Sequence, residues 1–166
     1  MSKLLFIDDE QSVRKVLSIS LRKEGYEVLT AENGEKGLEV FTRETPPIAL
    51  VDIRMPGMDG IEVLRRIKEI NPETEVIIIT GYGDMDSVIR ALKLDASDFL
   101  TKPIKDEVLL IALKRAQEKL ALKRKIGEYT HYLEDLVKER TREIQRACEQ
   151  IFYEVSKYIF ERKIHM

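Results

Sequence analysis

Tryptophan is missing from the 166 residues, cysteine occurs once, at Cys148, and all five prolines fall before residue 104. A lone cysteine excludes an internal disulfide framework and a cysteine-built metal centre, and it fits a reducing, cytoplasmic setting. No apolar run approaches the roughly 20 residues that a bilayer span needs. The opening Ser2-Lys3-Leu4-Leu5-Phe6-Ile7-Asp8 meets an acid before any core of signal-peptide length. Neither membrane insertion nor secretion is expected. Charge of one sign is lacking too: 28 basic residues stand against 30 acidic ones, a net charge of -2. Such a balance supplies no overall field that would demand a nucleic acid or a membrane surface as partner.

What is present suffices for one well-filled domain and an appendage, with 43% hydrophobic and 35% charged residues. Up to about Pro103, short aliphatic runs alternate with amphipathic segments. The runs are Lys3 to Ile7, Glu27 to Thr30, Ile48 to Val51, Val76 to Ile79 and Asp98 to Leu100. Helical patterns lie at Ser12 to Lys23, Glu35 to Thr42, Ile61 to Ile70, Met85 to Leu94, and from Lys105 onward. Five strands alternating with helices predict an α/β fold: a doubly wound, five-stranded parallel sheet with right-handed crossovers. In such a sheet ligands bind at the carboxyl ends of the strands.

The run Ile48-Ala49-Leu50-Val51 ends abruptly in Asp52 and then in a turn rich in Pro and Gly, Met55-Pro56-Gly57-Met58-Asp59-Gly60. A buried strand thus delivers one acid to its edge. Asp52 lies too far upstream to cap the helix that starts near Gly60, and Asp59 is better sited for that. The first, fourth and fifth strands end in Asp8-Asp9-Glu10, Thr80-Gly81-Tyr82-Gly83 and Thr101-Lys102-Pro103. Gathered together, Asp8, Asp9 and Asp52 repel one another unless a cation intervenes. An all-oxygen cluster selects a hard ion, Mg2+ or Mn2+. Lys102 adds a fixed positive charge and Thr80 a hydroxyl donor, the set needed for phosphoryl transfer to a carboxylate. Singly, Lys102 reads as a solvated lysine and Thr80 as a strand end; their coincidence at the strand ends makes the case.

These four motifs in this order resemble the receiver domain of two-component response regulators, over residues 3 to about 122. The resemblance implies a flavodoxin-like sheet of order 2-1-3-4-5 and a non-enzymatic phosphoacceptor that takes its phosphoryl group from a histidine kinase at Asp52. It implies that Asp9, Asp52 and the main-chain carbonyl of Arg54 bind Mg2+, with Asp8 acting through water, and that Lys102 and Thr80 hold the phosphoryl group. Thr80 and Phe99 would form the switch, and the Lys102-Pro103 bond would be cis. Gly81 stands where many members carry Ala.

From Lys105 to the end there is no proline and one glycine, Gly127, which predicts one long helix or two in series, forming a coiled coil over residues 123–166. Ile126, Tyr129, Leu133 and Leu136 follow 3-4-3 spacing, and Ile144, Cys148, Ile151, Val155 and Tyr158 follow 4-3-4-3. The polar block Lys138 to Glu143 interrupts the seam between them. Residues 133–144 resemble the signalling helices that join regulatory domains to kinase, cyclase or phosphodiesterase outputs. A homodimer through this helix is therefore expected; alternatively the chain is the N-terminal regulatory part of such a larger protein. No helix-turn-helix pattern follows Ile144, no P-loop is present, and His131 reads as an exposed helix residue. Two further readings carry less: an aspartyl-nucleophile phosphatase, which would need an acid where Arg54 stands, and a DNA-binding regulator using the Lys114 to Lys125 basic stretch, which Glu118 interrupts.

Overall fold

A computed structural model describes residues 2–164. In chain order the elements are β1 (Lys3–Ile7), α1 (Gln11–Lys23), β2 (Glu27–Ala31), α2 (Gly34–Glu44), β3 (Ile48–Asp52), α3 (Gly60–Ile70), β4 (Glu75–Thr80), α4 (Met85–Lys93), β5 (Asp98–Thr101) and α5 (Asp106–Ile164). Each predicted strand is present, longer by a residue or two except for β1. Hydrogen-bond pairing continues past the aliphatic run, so Asp52, Thr80 and Thr101 belong to the strands they terminate.

All pairings are parallel and the order is β2-β1-β3-β4-β5. The winding reverses between β1 and β3, which places a crevice at the carboxyl ends of these two central strands. Both faces of the sheet are covered, which explains why β3 and β4 are buried at every residue and read as unbroken apolar runs. Period two still sorts their side chains. Leu5, Ile7, Ala49, Val51, Val76 and Ile78 join the layer of Ile61, Leu64, Ile67 and Ala91 from α3 and α4. Leu4, Phe6, Ile48, Leu50, Ile77 and Ile79 join Leu17 and Leu21 of α1 with Leu109, Ala112, Leu113 and Ala116 of α5.

Local signals fix the helix starts. Asn33, Asp59 and Asp84 cap α2, α3 and α4, each side chain accepting the backbone N–H three residues on. Asp59 thus does the capping, and Asp52 is left for other work. The Lys102–Pro103 peptide is cis.

Contacts divide the chain into two compact units, Met1–Leu122 and Lys123–Met166. The last two residues of the expected coiled coil, and the first residue of the chain, lie outside the described ones. Residues 123–164 of the second unit belong to α5, and each from 124 to 164 is exposed, His131 included. Ile144, Ile151, Val155 and Tyr158 of the predicted seam therefore face solvent within a single chain.

Candidate functional site

Four strand ends deliver the site. Asp8 follows β1 with its backbone N–H still donating to Ala31 O (3.2 Å), which keeps the residue in the sheet and its side chain fully buried. Asp52 closes β3 and is likewise buried; the next residue, Ile53, donates its N–H to Ile79 O (2.9 Å), clamping the turn against β4. Lys102 follows β5, and its N–H donates to Thr80 O at 2.8 Å. The Lys102 ammonium then reaches three carboxylates at once: Asp52 Oδ2 at 2.8 Å, Glu10 Oε1 at 2.8 Å and Asp8 Oδ2 at 3.1 Å.

The remaining contacts orient the acids. Asp8 Oδ1 accepts the Glu10 N–H (2.8 Å) and Asp8 O accepts Arg14 Nη1 (2.6 Å). Asp52 Oδ1 accepts the Arg54 N–H at 3.3 Å. Burial disfavours the charged form and raises the affinity of Asp8 and Asp52 for protons above the ordinary carboxylate range. Lys102 opposes that rise in both, and the neighbouring Asp8 charge adds to it at Asp52. For Lys102 burial works against the ammonium, but its bonds to Asp52, Glu10 and Asp8 outweigh this and hold it charged.

The structure brings together Asp8, Asp52 and Lys102 of the predicted set, and adds Glu10. Among the described residues, Asp8, Glu10 and Asp52 bring carboxylate oxygens within 4.8 Å of one another. Asp9, expected among the metal ligands, is exposed and outside this group. Only the adjacency of Glu10 to two acids could have flagged it in the sequence. Thr80 is buried at the end of β4, its hydroxyl donating to Gly81 O at 3.4 Å. Phe99 pairs in register with Ile78 and is half-buried against the α3/α4 layer. The Arg54 side chain is exposed and pairs with Asp84 at 3.3 Å, linking the loops after β3 and β4.

The donor set suits a hard divalent cation. It is all oxygen, three negative charges face one lysine, and Asp8 Oδ2 is buried with an ion contact to Lys102 but no aligned hydrogen bond. Such an oxygen gains from a cation that satisfies it. Chemically, a desolvated carboxylate beside an ammonium and a cation site can take up an anionic electrophile.

Residues 4–114 match the family model of the response regulator receiver domain. The chain belongs to that family. It is 38% identical over 113 residues to sporulation initiation phosphotransferase F of Bacillus subtilis, covering 68% of this chain and 91% of that protein. With the transcriptional regulatory protein YkoG of B. subtilis it shares 32% over 149 residues, 89% of this chain and 65% of that one. With a cyclic di-GMP phosphodiesterase of Thermotoga maritima it shares 33% over 159 residues, 95% of this chain and 41% of that protein. The crystal structure of a response regulator receiver domain protein from Clostridium thermocellum superposes with a TM-score of 0.70 at 36% identity, covering 76% of this chain and 99% of that one. The flavodoxin-like receiver fold and its sheet order are thereby established for this chain. No described helix is long and apolar enough to cross a membrane.

Proposed function

We propose that this receiver is a phosphoacceptor switch in which Asp52 takes a phosphoryl group from the phosphohistidine of a histidine kinase, with Mg2+ or Mn2+ as cofactor. The observation that supports it best is the buried Asp52 carboxylate with the Lys102 ammonium 2.8 Å from Oδ2. An Asp52 oxygen forms the bond to phosphorus as the P–N bond of phosphohistidine breaks, and the imidazole leaves with the electron pair. Lys102 stabilises the negative charge on the transferring oxygens, and Thr80 donates its hydroxyl to one of them. The cation, when bound, neutralises further charge on those oxygens; Asp8, Asp52 and the Arg54 carbonyl would hold it, with Asp9 in the role the family implies. Movement of Thr80 toward the phosphoryl group would free space for Phe99 to turn inward, and this exchange is the switch.

The helical segment 123–166 is the output element of this reading, pairing two chains through the Ile126 to Tyr158 seam. The match of 159 residues to the cyclic di-GMP phosphodiesterase takes in this segment as well as the receiver, which favours a second reading: a regulatory part whose helix passes the receiver's state to an attached output. DNA binding draws little support, because Arg115 and Lys119 of the basic stretch are engaged by Asp98 and by Glu75 within the receiver.

Acetyl phosphate with Mg2+ should add one phosphoryl group to the intact chain by mass spectrometry. The adduct should vanish in Asp52→Asn and in EDTA. Undiminished labelling of the Asn variant would sink the assignment.

A further inference from the structure

Lys102 makes three carboxylate contacts, but its partners are not alike. Asp8 and Asp52 are buried and continue from strands, so neither can withdraw. Glu10 is more than half exposed, and water can receive its carboxylate whenever it lets go. Its position is also out of keeping with the other helix starts. Glu10 occupies the cap position of α1, where Asn33, Asp59 and Asp84 each accept a backbone N–H at the head of α2, α3 and α4. Glu10 makes no side-chain cap bond, and the first turn of α1 has no acid. Its N–H is anchored instead to Asp8 Oδ1 (2.8 Å), and its carboxylate crosses to a lysine 92 residues away. A helix start left uncapped for a contact across the crevice is the kind of local conflict that marks functional sites.

We propose that Glu10 is a positioning residue that holds the Lys102 ammonium in the unphosphorylated receiver and exchanges places with the incoming phosphoryl oxygen. An ammonium has three donors; two are hydrogen-bonded here, to Glu10 Oε1 and Asp52 Oδ2, and the Asp8 contact is an ion pair without an aligned hydrogen bond. Phosphorylation makes Asp52 a neutral acyl group and moves its charge outward onto the phosphoryl oxygens, which the ammonium has to follow. Asp8 stays buried beside it, whereas Glu10 can give up its contact to water. Glu10 thus acts as a competitor whose grip sets how readily the lysine is released. The inference rests on the reading that Asp52 accepts the phosphoryl group.

The test compares wild type, Glu10→Gln and Glu10→Asp in the full chain. Glu10→Gln keeps the length and loses the charge; Glu10→Asp keeps the charge but is one methylene too short to reach Lys102. The first measurement is the side-chain ammonium NMR signal of Lys102 in metal-free protein, identified by its loss in Lys102→Arg. The second is the affinity for beryllofluoride, a phosphoryl mimic, at saturating Mg2+. Both Glu10 variants should shift or lose the ammonium signal, and both should bind beryllofluoride roughly threefold more tightly, the scale of a half-exposed ion pair. Wild-type behaviour of Glu10→Asp would show that charge alone matters and overturn the proposal. So would unchanged signals in both, or Mg2+ binding weakened by Glu10→Gln alone, which would make Glu10 a ligand. Failure of the wild type itself to bind beryllofluoride would instead remove the Asp52 reading on which this one stands.

Discussion

Gly60 sits against the main chain of Asp52 so closely that a Cβ at position 60 would lie 2.2 Å from the Asp52 carbonyl oxygen and 2.7 Å from Ile53 Cα. Its N–H donates to Ile53 O at 2.9 Å, so helix α3 begins pinned to the turn that presents the acid. The obstacle is backbone on both sides and cannot swing aside. Gly60→Ala should therefore cost on the order of 2 to 3 kcal/mol, the scale of an overpacked core, read as a lower urea midpoint at unchanged slope. It should also slow phosphorylation of Asp52 by displacing the turn. Gly81→Ala is the control: nothing lies within 4 Å of a Cβ there, and stability should change by less than about 1 kcal/mol. Equal losses in the two variants would refute the close-approach argument.

The folded state disfavours the ionised form of Asp52, chiefly through burial. A carboxylate whose proton affinity is raised on folding makes the native chain bind more protons than the unfolded one, so stability falls as pH rises. The loss begins near the ordinary carboxylate value and is complete above the raised one. Asp52→Asn should accordingly melt higher than wild type at pH 7 without Mg2+, by on the order of 1 kcal/mol or about 4 °C. The gap should narrow toward pH 4 and close well below it, where the acid is protonated in both states. Glu62, held down at about 2 by Arg65 and Arg66, pulls the other way at low pH, but it is common to both proteins and cancels in the difference. A gap that widened toward pH 4 would contradict the burial argument.

Removing the ammonium leaves three acids facing one another. In metal-free solution Lys102→Ala should lose about 1 to 3 kcal/mol, less than a fully buried pair because the lysine and Glu10 are partly solvated. Mg2+ should restore most of it, since the acids then face a cation with no competing lysine. Calorimetry with and without Mg2+ reads both halves. An EDTA-insensitive melting temperature would separate the acids from any cation role.

The sheet was legible because its code is coarse: an aliphatic run ended by a turn marks a buried parallel strand whatever the details, and strands ending in Asp8, Asp52, Thr80 and Lys102 announce a shared edge. The role of Glu10 was not, because three consecutive acids look alike in a sequence. Which one turns inward depends on the path of the chain out of β1. Asp8 stays in the sheet through its bond to Ala31, Asp9 faces solvent, and Glu10 is turned back toward Lys102 by the bond from its N–H to Asp8 Oδ1. Hydrogen bonds of this kind have no periodicity to read. The seam of α5 is the opposite case, a pure spacing signal.

Cys148 stands in that seam between Ile144 and Ile151, exposed in the single chain. In a parallel, in-register pair each seam residue faces its own copy, and facing positions approach within about the 4.4 to 6.8 Å between Cα atoms that a disulfide spans. Mild oxidation at low protein concentration should therefore yield a covalent dimer, absent in Cys148→Ser. An antiparallel pair would set Cys148 opposite a different residue and leave it reduced. The polar block Lys138 to Glu143, where Arg140 donates to Glu143 of its own helix at 2.7 Å, supplies no apolar contact across the pair. Substituting it with Leu at the two positions that bridge the seam, Arg140 and Thr141, should raise the melting temperature of the dimer while leaving the cross-link yield unchanged. Monomer alone on non-reducing electrophoresis, with sedimentation confirming a dimer, would exclude the parallel register and with it the pairing of like seam residues.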